Sequence, residues 1–495
     1  MHAALASMLT SWLRHHWDKV AFAAACALLV YIAGIATAHY RWFPFIVVEG
    51  AVLAAKDWRD NWRSYLGMTP TKFLVPAEPE HRGVVVHVPG APEPGLTLVS
   101  GISEEGEVGL RLIDLDGTVR HRWPAAFSEI WPSPEHVRGR PLPLNDWDTE
   151  IHGAVLLPGG DVVFNFGWYG LQRLDACGEV VWKLPYMTHH SVFVSDDGNL
   201  WVPGVRHHAG PAPSLPGIVP PFDEDTVLQV SPDGEILREI SLLELFYRNE
   251  LQALLFANGL HTIDGSSHKD LLHLNDVDVL SASNADAFPL FEPGDIMVSL
   301  RNLNLVMVID PVSEVVRWSQ TGPWIRQHDP DFLPDGRIMV FDNRRDDRDG
   351  RTFGGSRILA IDPATREVQT IYEGSDNETF FTDTKGQQQP LPNGNVLIIE
   401  AKRGRVFEVA PDSRIVWSYI SPFDQDHVAQ VSDAIRYPEG YADFETIGAS
   451  KTAHDDDDHL FVREEGHITE KANRRGDSVP GRRTAADAAG AVPWP

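Results

Sequence analysis

The stretch Trp324-Ile325-Arg326-Gln327-His328-Asp329-Pro330-Asp331-Phe332-Leu333-Pro334-Asp335-Gly336-Arg337-Ile338-Met339-Val340-Phe341-Asp342-Asn343 reads as a histidine-bearing loop, a short strand, a tight turn and a second strand ending on Asp-Asn. Pro-Asp-Gly between apolar runs is a turn signal, since proline presets one backbone angle and glycine accepts a positive φ. Weaker copies of this pattern recur along the chain. In three of them a histidine stands eight residues before the turn glycine: His152 before Gly160, His190 before Gly198 and His328 before Gly336. A repeat that keeps histidine in register predicts a closed array with those side chains aimed at a common centre.

Working outward, six hairpins share one plan of an alternating apolar strand, a polar turn and a strand often carrying tryptophan. They are 109–123, 170–184, 226–240, 305–319, 357–371 and 405–419. Partner hairpins fall between them, at 153–167, 191–204, 274–301 (interrupted by an insertion at 281–293), 330–343 and 390–401, with 84–100 as the candidate for the first repeat. Two hairpins give a four-stranded antiparallel unit, and about six such units predict an all-β, six-bladed β-propeller. Residues 241–268 have a helical period and are expected to cap one face. The irregular stretch 420–464 is expected to close the ring or cover its bottom.

Composition bounds the partners. A net charge of −28 over 495 residues excludes the usual electrostatics of nucleic-acid binding. The two cysteines, Cys26 in an apolar run and Cys177 in a turn, predict no intrachain disulfide and no cysteine metal site.

The N-terminal region reads in three parts: a cytoplasmic leader at 1–19, an apolar span at 20–38, and a juxtamembrane helix and linker at 39–80. The span carries no charge and is long enough to cross a bilayer as a helix. Arg14 and Lys19 precede it, which orients the N-terminus toward the cytoplasm and all that follows away from it. We expect a retained anchor; the small-x-small tripeptide Ala36-Thr37-Ala38 makes a cleaved signal the alternative. The helix that follows is expected to lie at the membrane interface or to pack on the globular domain. The propeller is assigned to 81–464 and a disordered tail to 465–495. The run His454 to His459 reads as a solvated acidic loop.

In a propeller the innermost strand of each blade, strand A, starts at one mouth of the central channel, and strand B ends there. His152, His190 and His328 are strand-A starters, and His273 takes the same place in the blade with the insertion. Arg301 ends that blade's strand B, and Asp342-Asn343 end the next one. The fifth equivalent position is Gly386, whose neighbours Gln387 to Gln389 are expected on the rim. Four imidazoles and one guanidinium suit transfer of an anionic group, with a histidine attacking and holding it while the cation stabilises its oxygens. Three histidines binding zinc or iron in a hydrolase or lyase, or a propeller that only binds a ligand or protein, remain open from the residues alone. His189, His207 and His208 are less central candidates.

The segments QHDPDFLPDGRIMVFDN, THHSVFVSDDGNL, LHLNDVDVL with VSLRN, and LPNGNVLIIEAKRGRVFEV resemble the bacterial aryl-sulfate sulfotransferases that use no nucleotide sulfate donor. The likeness covers about 140–420. It implies a periplasmic six-bladed propeller needing no cofactor and no metal, which takes an aryl sulfate donor and a phenolic acceptor. It implies that His328 is transiently sulfated, that His190 and His273 support it, and that Arg301 acts beside them. His152, Asn275, Asp342 and Asn343 are expected as supporting residues; the resemblance assigns no role to His152. The anchor at 20–38, and too few cysteines for the family's disulfide near the site, are departures from its pattern.

Overall fold

Each blade forms because its strands alternate apolar residues, its turns carry glycine at positive φ, and its outer strand reaches across to the next blade. The computed structural model describes residues 16–40, 42–77, 82–257, 270–346, 350, 352–375 and 378–442. The leader residues 1–15, the segment 443–464 with its acidic run at 454–459, and the tail at 465–495 lie outside these.

Six antiparallel sheets make the ring. Blade 2 runs from Ile151–Leu156 inward to Val180–Leu184 outward. Blade 3 has a split inner strand, Met187–Thr188 and Phe193–Val194, pairing with Leu200–His208. Blade 4 starts at Leu274–Val279, blade 5 at His328–Phe332 and blade 6 at Gln387–Pro390. The ring closes through chain ends. Blade 1 consists of Leu96–Ile102, Val108–Ile113 and Val119–Pro124, with its inner strand supplied by Ala434–Tyr437.

This corrects the expectation for 84–100. Gly83–His87 is a fifth, outermost strand on Ile415–Ile420 of blade 6, so the chain crosses the closure at both ends. Residues 83–86 are only half-buried and His87 is exposed, as an edge position requires, whereas an inner strand is covered on both faces.

The recurrent tryptophan has a mechanical reason. Trp182, Trp318 and Trp417 sit in the outer strands of blades 2, 4 and 6, and each indole N–H donates to a carbonyl in the next blade's outer turn: Pro232 at 2.9 Å, Pro363 at 3.0 Å and Leu115 at 2.8 Å. Between blades lie buried apolar clusters, such as Phe288, Phe291, Trp318, Trp324, Phe332 and Val340 between blades 4 and 5. Each ring therefore serves as both core and clasp, with an apolar body and one satisfied polar atom.

Ahead of the ring, two helices occupy Trp17–His39, here α1, and Phe45–Tyr65, here α2. α1 is long and apolar enough to cross a membrane, and none of it is buried in the protein. The capping helices expected at 241–268 are Leu242–Arg248 and Gln252–Ala257, and the remainder lies outside the described residues. Cys26 and Cys177 are both free and exposed.

Candidate active site

The inner strands enter the channel through one local device. In blades 2, 4 and 5 the pairing of strand A with strand B slips next to the histidine, between Ile151 and Ala154, Leu274 and Asp276, and His328 and Asp331. A residue at positive φ accompanies each slip or its equivalent: Gly153 at 86°, His190 at 56°, His273 at 56° and Asp329 at 51°. Such bulges re-aim a side chain, and left-handed non-glycine residues cost about 1–3 kcal/mol each. Blade 2 needs glycine there, because a Cβ on Gly153 would stand 1.6 Å from the carbonyl oxygen of His190.

Four imidazoles converge as a result. The His152 and His190 ring centroids are 4.4 Å apart, and those of His190 and His273 are 5.0 Å apart. His328 is buried close enough to Arg301, His273 and His152 for their charges to bear on its protonation. Its Nδ1 lies 2.6 Å from Asn343 Oδ1 and 3.1 Å from the Arg326 carbonyl. Asn343 cannot turn round, because its amide nitrogen donates to the carbonyls of Thr382 and Lys385. Nδ1 of His328 must therefore carry the proton, and Nε2 keeps its lone pair.

Asp342 does a different job. It accepts from Ile325 N–H at 2.8 Å and pairs with Arg357 at 2.8 Å, holding the loop that delivers His328. Asn275 donates to the Gln327 carbonyl at 2.7 Å and fixes the same loop from blade 4. Arg301 follows strand B of blade 4, and its backbone N–H donates to the His273 carbonyl at 3.1 Å. Its guanidinium shares Asn302 Oδ1 with Arg326.

Burial sets the protonation of the ring. It pushes His328 and His190 well below the usual imidazole range, with Arg301 adding to the effect on His328 and His152 to that on His190. His152 is pushed down to about 4 by burial, against the pull of Glu150. Arg301 is lowered by burial to about 10, and so stays charged at neutral pH. His273 is also lowered by burial, but Asp270, 2.5 Å from its Nδ1, opposes the shift. His152, His190 and His328 are thus neutral beside a fixed cation, while Asp270 draws His273 back toward its charged form.

Asp270, Trp168 and Arg140 were not foreseen, whereas His189, His207 and His208 were read as less central candidates. Asp270 is a carboxylate at the mouth beside His273; its offset of three residues before that histidine was the available signal. His189 Nδ1 lies 2.7 Å from His190 Nδ1, and its ring stacks on Trp168 at 4.0 Å. Arg140 covers the other face of Trp168 at 3.8 Å and pairs with Asp223. His207 and His208 are held at the rim by Asp223 and Glu224. At the blade 6 position the rim residue is Lys385, which binds Glu150. Gln387 to Gln389 sit deeper, lining the channel, because strand A starts at Gln387. Among the described residues, no three His, Cys, Asp or Glu side chains are grouped to hold a metal ion.

Comparison with known proteins places these features. The sequence profile of a family described as "Arylsulfotransferase (ASST)" matches residues 153–422, more than half of the chain. No curated protein matches it. Among solved structures, a protein of unknown function from Bacteroides caccae is 15% identical, with 69% of this chain and 98% of that one covered and a TM-score of 0.43. A virginiamycin B lyase from Staphylococcus aureus is 12% identical, with 73% and 96% covered and a TM-score of 0.36. At those scores neither likeness carries functional weight.

Proposed function

Because the chain belongs to the arylsulfotransferase family, we propose that it moves a sulfuryl group from a phenolic sulfate ester to a phenol, with His328 carrying the group in between. The observation that supports this most is the locked Asn343–His328 pair, which leaves one ring nitrogen unprotonated.

In the first half, His328 Nε2 attacks sulfur and the bond from sulfur to the aryl oxygen breaks. The phenolate leaves with the bonding pair and takes a proton from the His273 imidazolium, whose Nδ1 side is held by Asp270. In the second half, the acceptor hydroxyl attacks sulfur, the nitrogen–sulfur bond returns its pair to Nε2, and the acceptor's proton goes back to His273. Arg301 faces the sulfuryl oxygens, where a planar multi-donor cation suits an anion of that shape. His190 and His152 pack behind as neutral donors. Fixed donors act most where charge grows, so these contacts weigh on rate more than on binding.

The setting we propose is a periplasmic propeller held to the inner membrane by the apolar span 20–38. Length and hydropathy support the anchor, and the basic residues before it support the orientation.

Intact-mass measurement after incubation with a chromogenic aryl sulfate alone tests the chemistry. A single sulfuryl adduct that maps to His328 and disappears when phenol is added is the expected result. Rapid release of phenol with no adduct at any time would mean direct transfer or hydrolysis instead.

A further inference from the structure

The segment leaving α2 does not trail away from the propeller; it is tied along the face that bears the histidines. Ser64 at its end is buried and accepts from Asn145 Nδ2 at 2.9 Å through its carbonyl. Lys72 pairs with Asp148 at 2.9 Å. Asn145 and Asp148 belong to the connection from blade 1 to blade 2, which ends at the channel mouth and carries the Arg140 that caps Trp168. On the other side, the Phe73 carbonyl accepts from Gln430 N–H at 2.8 Å, and the Lys385 ammonium lies over the Phe73 ring at 5.3 Å. Leu74–Pro76 then pairs with His427–Ala429, in the connection that leads from blade 6 into blade 1. Both attachment points are on connections that lead from the outer strand of one blade into the inner strand of the next, and these lie on the mouth side.

The same side carries unpartnered apolar surface continuous with the span. Along α2, Ile46, Val48, Val52 and Leu53 are about half exposed or more, and only Ser64 is buried. Trp58, Arg59 and Trp62 follow, a mixture of indoles and a cation typical of the bilayer surface. Beside the mouth, Leu142 and Leu144 project from the Arg140 connection with 49% and 73% of their surface exposed.

We infer that the channel mouth faces the bilayer holding the apolar span, and that the phenol it serves is an amphiphile, a phenol on a hydrocarbon tail that enters from the lipid surface. The occupant of the apolar patch is thus phospholipid. The argument for lipid is continuity: one covalent run leads from a membrane-length helix, through an exposed apolar helix, to the rim. The substrate half of this inference rests on the sulfotransfer reading, whereas the orientation half does not.

The full chain in phosphatidylcholine–phosphatidylglycerol vesicles provides the test. In a Cys26→Ser background, a nitroxide is placed either on Leu144→Cys, with Cys177→Ser, or on native Cys177, which lies in an outer turn on the opposite face. The Leu144 label is expected to gain contact with oxygen over a water-soluble nickel chelate when vesicles are present, while the Cys177 label stays aqueous. Equal aqueous exposure at both positions would overturn the orientation, and so would spin–spin coupling at 144, which would mean that a second copy of this chain covers the patch. In turnover, Leu142→Asp with Leu144→Asp is expected to raise KM for a long-chain alkylphenol about tenfold, as loss of apolar contact area predicts, and to leave a short soluble phenol unchanged. Equal use of both phenols by the wild type would overturn the substrate half. If neither phenol is sulfated, the sulfotransfer reading itself has failed, and the labels still decide the orientation.

Discussion

The mouth of the channel and its body are built from the same inner strands, yet they carry opposite chemistry. The mouth has His152, His190, His273 and His328 beside Arg301. Just below, a cavity of about 290 Å³ is lined by Asp276, Asp278, Asp329, Asp331 and Asp433. Burial acts on both sets, and it favours the uncharged form of each. It lowers the imidazoles, so they present lone pairs. It raises the carboxyls, with Asp278 and Asp433 pushed up to about 7 and Asp276, Asp329 and Asp331 held well above their usual range, neighbouring aspartates adding to the effect on these last three. One physical cause therefore yields nucleophiles at the top and protonated acids beneath. A sulfuryl anion at the mouth then meets the neighbouring Arg301 and Arg326 guanidinium groups, with the carboxyls beneath it driven toward their uncharged form despite the chain's overall acidity.

The strongest way to break this contrast is to remove the nucleophile. His328→Ala should lower phenol release from an aryl sulfate at least ~10³-fold, as loss of a covalent catalyst does, with the folded far-UV spectrum retained. Near-full turnover in that variant would end the covalent reading. Because burial and Arg301 hold the His328 pKa below 6.5, cleavage of a donor with a good leaving group, which needs no proton from His273, should stay flat in the wild type as pH falls through 6.5 and decline only at lower pH. A decline centred on 6.5 would show an imidazole exposed to solvent. Arg301→Lys should cost on the order of 10²-fold in kcat with a smaller change in KM, since an ammonium offers no planar fork to an anion whose charge grows in the transition state.

How much of this was legible beforehand follows from repetition. The blades were readable because period-two strands and Asp-Gly or Asn-Gly turns recur, and the histidines because they keep one offset from those turns. The outer tryptophans were visible too, though their role as clasps needs the neighbouring blade's carbonyl. The ring closure was readable only in part: 420–464 was expected to close it and does so through Ala434–Tyr437, but that strand is only four residues long, and the valine run in Gly83–His87 reads like any buried strand. Trp168, Arg140 and Asp270 come from connections that do not repeat, so register offered no guide to them. The aspartates did leave a signal. Asp276 and Asp278, like Asp329 and Asp331, are two apart in a strand and so point to one face. In an inner strand that face is the channel.

Asp270→Asn sharpens the contrast at its boundary, because Asp270 is the carboxylate that works against burial at the mouth. Without it the His273 pKa should fall further, so the rise in rate as pH drops through that pKa should move to lower pH. Transfer from donors with poor leaving groups should slow on the order of tenfold, the scale of general-acid assistance, and good leaving groups should be little affected. A uniform loss across leaving groups would mean that Asp270 acts only by placing His273 and Arg301.

The smallest expected effect concerns the channel body and is read in stability. Asp433 is buried and accepts from the Ala154 N–H at 2.5 Å, with the Gln387 amide and the Gly153 N–H also bearing on it. Its pKa of about 7 in the folded protein exceeds the unfolded value near 3.8. A raised folded pKa means that its favourable contribution is complete below the unfolded pKa and is lost as pH rises from there through 7. The mouth histidines run the other way: their lowered pKa values make their contribution complete above 6.5 and progressively lost below it. The two ends of the channel thus oppose each other across the interval from pH 4 to 7. Asp433→Asn keeps the amide acceptor but cannot ionise, so it mimics the protonated acid at every pH. Its melting temperature should match that of the wild type at pH 4 and exceed it by about 2–4 °C at pH 8, a shift on the scale of ~1 kcal/mol. A variant less stable than wild type at pH 8 would show that the carboxylate is ionised and held by a partner, and the channel body would then be a charged site rather than a neutral one.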